Sequence, residues 1–184
     1  AVVLDAYPLE TAATVLARTI TVMAGQVCAM LSRAIVPAAR FGEYAEAIAA
    51  EMKRVKVGLP RDPETQMGPL AMARQRDRVE GYIQAGLESG ARILTGGGRP
   101  AHLPKGYFIE PTLFVDVDPK SRIAQEEIFG PVLCLFPARD VDEAVQLAND
   151  TIYGLNASVL TGDPDQAFQV GRRIRSGNLG QNGM

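Results

Sequence analysis

Met23-Ala24-Gly25-Gln26-Val27-Cys28-Ala29-Met30-Leu31-Ser32-Arg33 lies where one hydrophobic period gives way to another. Upstream, Leu9, Ala12, Ala13, Leu16, Ile20 and Met23 recur at three- and four-residue steps, the buried stripe of an amphipathic helix. Downstream, Ala34-Ile35-Val36 reads as a short apolar strand that Pro37 brings to an end. Between them Gly25, free to adopt positive φ, suits the carboxyl end of a helix. Three residues later comes Cys28. A thiol in a helix-to-strand turn is held by rigid neighbours yet can face a cleft, which a nucleophile requires.

Taken alone, a cysteine is more often a small core hydrophobe than a nucleophile. The only histidine, His102, lies in a Pro/Gly/Lys loop context, so a Cys-His pair has no local support. Cys134 sits in the apolar run Pro131-Val132-Leu133-Cys134-Leu135-Phe136 and reads as a buried strand residue. Two cysteines without framework spacing imply free thiols in a reducing, cytoplasmic compartment. One histidine with two distant cysteines supplies no zinc-type ligand set, so no metal is expected.

At 184 residues, chain length suits one domain or a large part of one, burying roughly 70% of its unfolded surface. Net charge is −2 with both signs interspersed, so no basic face is offered to nucleic acid. The charge-free stretch between Arg18 and Arg33 falls short of the ~20 residues that span a bilayer, so no membrane partner is expected. No basic segment suggests a signal peptide.

In chain order, Ala1 to Asp5 reads as a buried strand and Phe41 to Met52 as a second helix. Ala71 to Ser89 reads as a third helix, with Gly90 as its left-handed cap. Arg74, Arg76 and Arg78 do not share one helical face and are diluted by Asp77 and Glu80, which points to a solvated surface. Ala91 to Thr95 is a strand, and Gly96-Gly97-Gly98 a flexible turn without a phosphate-loop signature. Tyr107 to Val117 is extended, Val132 to Phe136 a buried strand, Val141 to Asn149 a helix, and Asn156 to Thr161 a strand. Asp163 caps a last helix with Pro164 at its first position, and Asn178 to Asn182 begins another strand. The expected fold class is α/β, a sheet of mostly parallel strands layered by helices. Both chain ends fall inside expected strands, so the chain is expected to be a piece of a longer protein.

Glu126-Glu127-Ile128-Phe129-Gly130-Pro131-Val132 follows the thiol by about a hundred residues. With Gly25-Gln26-Val27-Cys28 it resembles the aldehyde dehydrogenase superfamily, whose members carry GQxC and EEIFGPV in that order. Supporting matches are Gly106-Tyr107-Phe108-Ile109-Glu110-Pro111-Thr112, Ala148-Asn149-Asp150 with Tyr153-Gly154-Leu155, and the closing Gly177, Gly180 and Asn182. The resemblance covers essentially the whole chain.

That resemblance implies a fold of the aldehyde dehydrogenase catalytic-domain type, with residues 1–184 forming part of the thiol-bearing domain. It makes Cys28 the nucleophile toward a small-molecule aldehyde, with its backbone N–H donating to the oxyanion. NAD or NADP would take the hydride. Glu127 matches the glutamate that binds the nicotinamide ribose, and Phe129 the aromatic that supports that ring. Water or coenzyme A would release the acyl group. The family's deacylating glutamate, oxyanion-hole asparagine, nucleotide-binding domain and oligomerisation strand lie outside these residues. The isolated chain is therefore expected to bind cofactor poorly and not to turn over, and the parent to be a homo-oligomer. Members often have Asn where this chain has Met23. Two other readings are a weak Cys28-dependent esterase and a non-catalytic binding or scaffold module of the same descent.

Overall fold

Successive residues of the central strands point into two different cores. In the run from Val132 to Phe136, Val132, Cys134 and Phe136 join one buried cluster while Leu133 and Leu135 join the other. Ala34, Ile35 and Val36 alternate in the same way, as do Leu113, Phe114 and Val115. Apolar residues on both faces are what a sheet covered by helices on both sides demands.

The computed structural model describes residues 1–184. Its elements are β1 (Val2–Val3), α1 (Leu9–Thr21), β2 (Arg33–Pro37), α2 (Phe41–Arg54), α3 (Ala73–Glu88), β3 (Arg92–Thr95) and β4 (Thr112–Val115). There follow α4 (Arg122–Gln125), β5 (Val132–Ala138), α5 (Val141–Asn149), β6 (Asn156–Leu160), α6 (Pro164–Gly171) and β7 (Asn178–Gln181). The seven strands form one sheet in the order β3-β4-β5-β2-β1-β6-β7. Every neighbouring pair is parallel except β3 with β4. Helices α1 and α2 cover one face; α3, α4, α5 and α6 supply the core of the other. The expected α/β sheet layered by helices is the fold observed. No helix is long and apolar enough to cross a membrane.

Several expected boundaries move. Helix α1 stops at Thr21, whose hydroxyl donates back to the Ala17 carbonyl at 2.9 Å. Met23, two residues beyond the helix end, leaves the apolar stripe: it is 70% exposed, with φ at +48°. The strand expected from Ala1 to Asp5 is only Val2–Val3, and the extended run from Tyr107 to Val117 pairs only over Thr112–Val115. Asp163 caps α6 as expected, accepting from the N–H groups of Asp165 and Gln166.

On the α1/α2 side Tyr44 is fully buried, and its hydroxyl has no hydrogen-bond partner. A buried orphan hydroxyl costs about 1–3 kcal/mol. Tyr44→Phe is expected to leave the fold unchanged or to stabilise it by about 1 kcal/mol, read as an upward shift in the urea midpoint.

Candidate active site

The loops that enter the parallel strands converge at one end of the sheet. Cys28 lies just before β2, Gly130 just before β5, Tyr153 just before β6 and Ser176 just before β7. Together they line a cavity of about 170 Å³. Open α/β sheets usually bind ligands beyond the carboxyl ends of their strands. Here the opening is at the amino ends.

The thiol loop owes its shape to a run of left-handed residues. Met23, Ala24 and Gly25 take φ of +48°, +52° and +72°, a conformation costly to the first two. The reason lies across the cavity wall. A Cβ on Gly25 would sit 2.1 Å from the Gly130 carbonyl oxygen, so the backbones of the two loops touch. Gln26 ties the loop to the segment that leads into α3, its side-chain oxygen accepting from the Ala71 N–H at 3.0 Å. On the other side the Asn156 amide donates to the Ala29 carbonyl at 2.9 Å. Cys28, between these ties, is exposed. Its backbone N–H makes no hydrogen bond within the chain.

The opposite wall is the segment Glu126 to Gly130, whose two glutamates have separate surroundings. Glu126 is held by Arg122 at 3.2 Å and accepts from the Tyr82 hydroxyl at 2.7 Å. These two contacts, Arg122 first, keep its carboxyl below the ordinary range. Burial, reinforced by the bond to Glu126, raises the Tyr82 phenol, so it stays a donor. Glu127 is hydrogen-bonded only through its backbone, and its carboxylate is free beside the cavity. Phe129 is half-buried at φ +59°. Gln75 on α3 stabilises that strained peptide by donating to the Phe129 carbonyl at 2.7 Å. Strained residues thus occur on both loops of the opening, where such conformations tend to be functional.

Cys28, Glu127 and Phe129 therefore share one cavity. His102 does not: it is exposed, and its Nε2 lies 3.0 Å from the Val57 carbonyl. Cys134 is 1% exposed on β5, and burial pushes its thiol up to about 12, against a smaller opposing effect of Arg33. A raised thiol pKa keeps Cys134 protonated, adding stability that is lost as pH climbs from its unfolded value toward 12. Iodoacetamide at neutral pH is expected to label Cys28 on the native chain and to reach Cys134 only after unfolding, as peptide mass spectrometry would read.

Sequence reasoning missed Gln75, Arg78, Tyr153 and Asn156. Arg78 and Arg76 are not simply solvated, as their spacing suggested. Arg78 donates to the Glu127 carbonyl, and Arg76, its side chain 17% exposed, to that of Gly106. Only the Ala148-Asn149-Asp150 and Tyr153-Gly154-Leu155 matches hinted that Tyr153 belongs near the site.

The family model described as "Aldehyde dehydrogenase family" matches residues 1–184. The chain belongs to the aldehyde dehydrogenase family. Its fold superposes on a Mycobacterium tuberculosis aldehyde dehydrogenase complexed with NAD+, at TM-score 0.96 and 43% identity, covering 100% of this chain and 38% of that one. A betaine aldehyde dehydrogenase from Staphylococcus aureus in complex with NAD+ gives TM-score 0.96 at 34% identity, over 100% and 37% of the two chains. A cysteine-to-alanine variant of aldehyde dehydrogenase C from Pseudomonas syringae, complexed with NAD+ and octanal, gives 0.96 at 38%, over 98% and 38%. The chain spans 38% of the length of a curated Staphylococcus saprophyticus relative, with 43% identity over 179 residues. This aldehyde dehydrogenase segment thus carries the family's sheet and its GQxC and EEIFGPV loops.

Proposed function

We propose that the parent protein oxidises a small-molecule aldehyde to a carboxylic acid, with Cys28 as nucleophile and NAD or NADP as hydride acceptor. Residues 1–184 are then part of its thiol-bearing catalytic domain, and nucleotide-binding and oligomerisation segments belong to the rest of a homo-oligomeric parent. The observation that carries this reading is an exposed thiol with an unpaired backbone N–H, in one cavity with a free carboxylate and an aromatic ring.

The Cys28 thiolate adds to the carbonyl carbon, and the carbonyl electron pair moves onto oxygen as an oxyanion. The Cys28 N–H is free to donate to that oxyanion, where developing charge is best met by a preorganised donor. Collapse of the oxyanion releases the aldehyde hydrogen as hydride and leaves a thioester on Cys28. The bound nicotinamide supplies the hydride acceptor. Water then adds to the thioester, the acid leaves and the thiolate is restored; a coenzyme A thiol in place of water would release acyl-coenzyme A.

The residues fit the cofactor. Glu127 offers two carboxylate oxygens without competing partners, enough to accept from both ribose hydroxyls. Phe129 presents an apolar ring at the same wall, where it can limit the ring's freedom and keep hydride transfer short. Two unpaired cysteines are consistent with a reducing, cytoplasmic setting.

The test is formation of reduced cofactor by the full-length parent with NAD or NADP and aliphatic or aromatic aldehydes. Sustained turnover by the parent is expected, and none by the isolated chain. Failure of the parent with every aldehyde and both cofactors would overturn the reading.

A further inference from the structure

The Glu127 backbone is gripped on both sides of its Cα by side chains that come from different elements. Its carbonyl accepts from Arg78 Nη2 on α3 at 2.6 Å. Its N–H donates to the Tyr153 hydroxyl, in the loop between α5 and β6, at 3.3 Å. Arg78 is itself set in place: the same nitrogen donates to the Tyr82 hydroxyl at 3.1 Å, and its guanidinium lies 5.0 Å from the Tyr82 ring centroid. Arg122 covers that ring at 4.7 Å and pairs with Glu126. Gln75, Arg78, Val79 and Tyr82 recur at helical spacing on one face of α3, turned toward the Glu126–Gly130 segment.

We infer that Arg78 and Tyr153 are positioning residues that fix the direction of the Glu127 carboxylate. The N–H and the C=O of Glu127 belong to the two peptide groups that flank its Cα, so holding both restrains φ and ψ there and sends the side chain off the loop in one direction. Without the two bonds, Glu127 would be an exposed residue on a loop with no side-chain partner, free to sample several directions. The consequence for catalysis rests on the function proposed above. Loosening Glu127 weakens the hold on the cofactor ribose and leaves the thiol, on the facing loop, as reactive as before.

The experiment uses the full-length parent with Tyr153→Phe, Arg78→Met and Arg78→Lys. Hydrogen exchange of the Glu127 amide, measured without cofactor, is expected to quicken about five- to tenfold in Tyr153→Phe and in Arg78→Met, as one lost hydrogen bond implies. The cofactor KM is expected to rise about tenfold in Arg78→Met, with kcat and the rate of Cys28 alkylation within about twofold of wild type. Arg78→Lys keeps one donor within reach of the Glu127 carbonyl and is expected to recover part of the loss. Unchanged exchange in both Tyr153→Phe and Arg78→Met overturns the inference, and so does faster exchange with an unchanged cofactor KM. A wild-type parent that reduces neither cofactor defeats the proposed function instead; the exchange measurement then decides the inference by itself.

Discussion

Cys28→Ala in the full-length parent is expected to lower aldehyde oxidation by at least about 10⁴-fold while leaving stability within about 0.5 kcal/mol of wild type. Removing a nucleophile that forms the covalent intermediate eliminates the path rather than slowing one step of it. The stability half follows from exposure: Cys28 is exposed and belongs to neither core cluster. Cys134 cannot substitute, since its buried thiol is held protonated up to about 12. Steady-state rates and thermal unfolding on the same preparations check both halves. A variant retaining a tenth of wild-type turnover would remove Cys28 from the chemistry.

Gly25→Ala is expected to be the most damaging change that leaves every polar group of the site intact. The backbone there is left-handed at φ +72°, and the new methyl would fall 2.1 Å from the Gly130 carbonyl oxygen and 2.7 Å from the Pro131 nitrogen. Backbone strain and forced separation together are expected to cost about 3 kcal/mol. The two loops must part, which carries Cys28 away from Glu127 and Phe129. A displacement near 1 Å at such a site costs about 100-fold in rate. Thermal unfolding and turnover of the parent variant are both expected to fall; a wild-type midpoint with wild-type turnover would show that the loops do not depend on this contact.

Much of the architecture was legible because its signals are local. The stripes of α1, α2 and α5 and the cap of α6 follow from residues within a turn or two of one another. The weak points were elements whose signals come from elsewhere. Val2 and Val3 are apolar on both sides because the sheet is covered on both faces, and such a run carries no mark of where pairing stops. Met23 fitted the helical stripe by spacing, yet the approach of Gly25 to Gly130 turns the chain out of the helix first. That contact joins positions far apart in sequence, and a glycine seen alone signals a turn, not a neighbour.

The site was legible where a motif marks it and silent where polar residues act through the backbone. Cys28, Glu127 and Phe129 stood out through the ordered GQxC and EEIFGPV stretches. Nothing in the Glu-Glu pair said which carboxylate would be bound by Arg122 and Tyr82 and which left free. Arg76 and Arg78 read as a solvated surface and Gln75 drew no reading, because a side chain that reaches a carbonyl on another loop has the same composition as one in water. Asn156 and Tyr153 belong to the same class: each holds a site loop by one backbone group.

The most direct measurement is peptide mass spectrometry of the full-length parent, quenched in acid during turnover of an aldehyde with oxidised cofactor. An acyl group carried on the peptide containing Cys28 is expected, formed only when both substrate and cofactor are present. An acyl group on any other residue, or steady turnover with Cys28 unmodified at every quench time, would contradict Cys28 as the nucleophile.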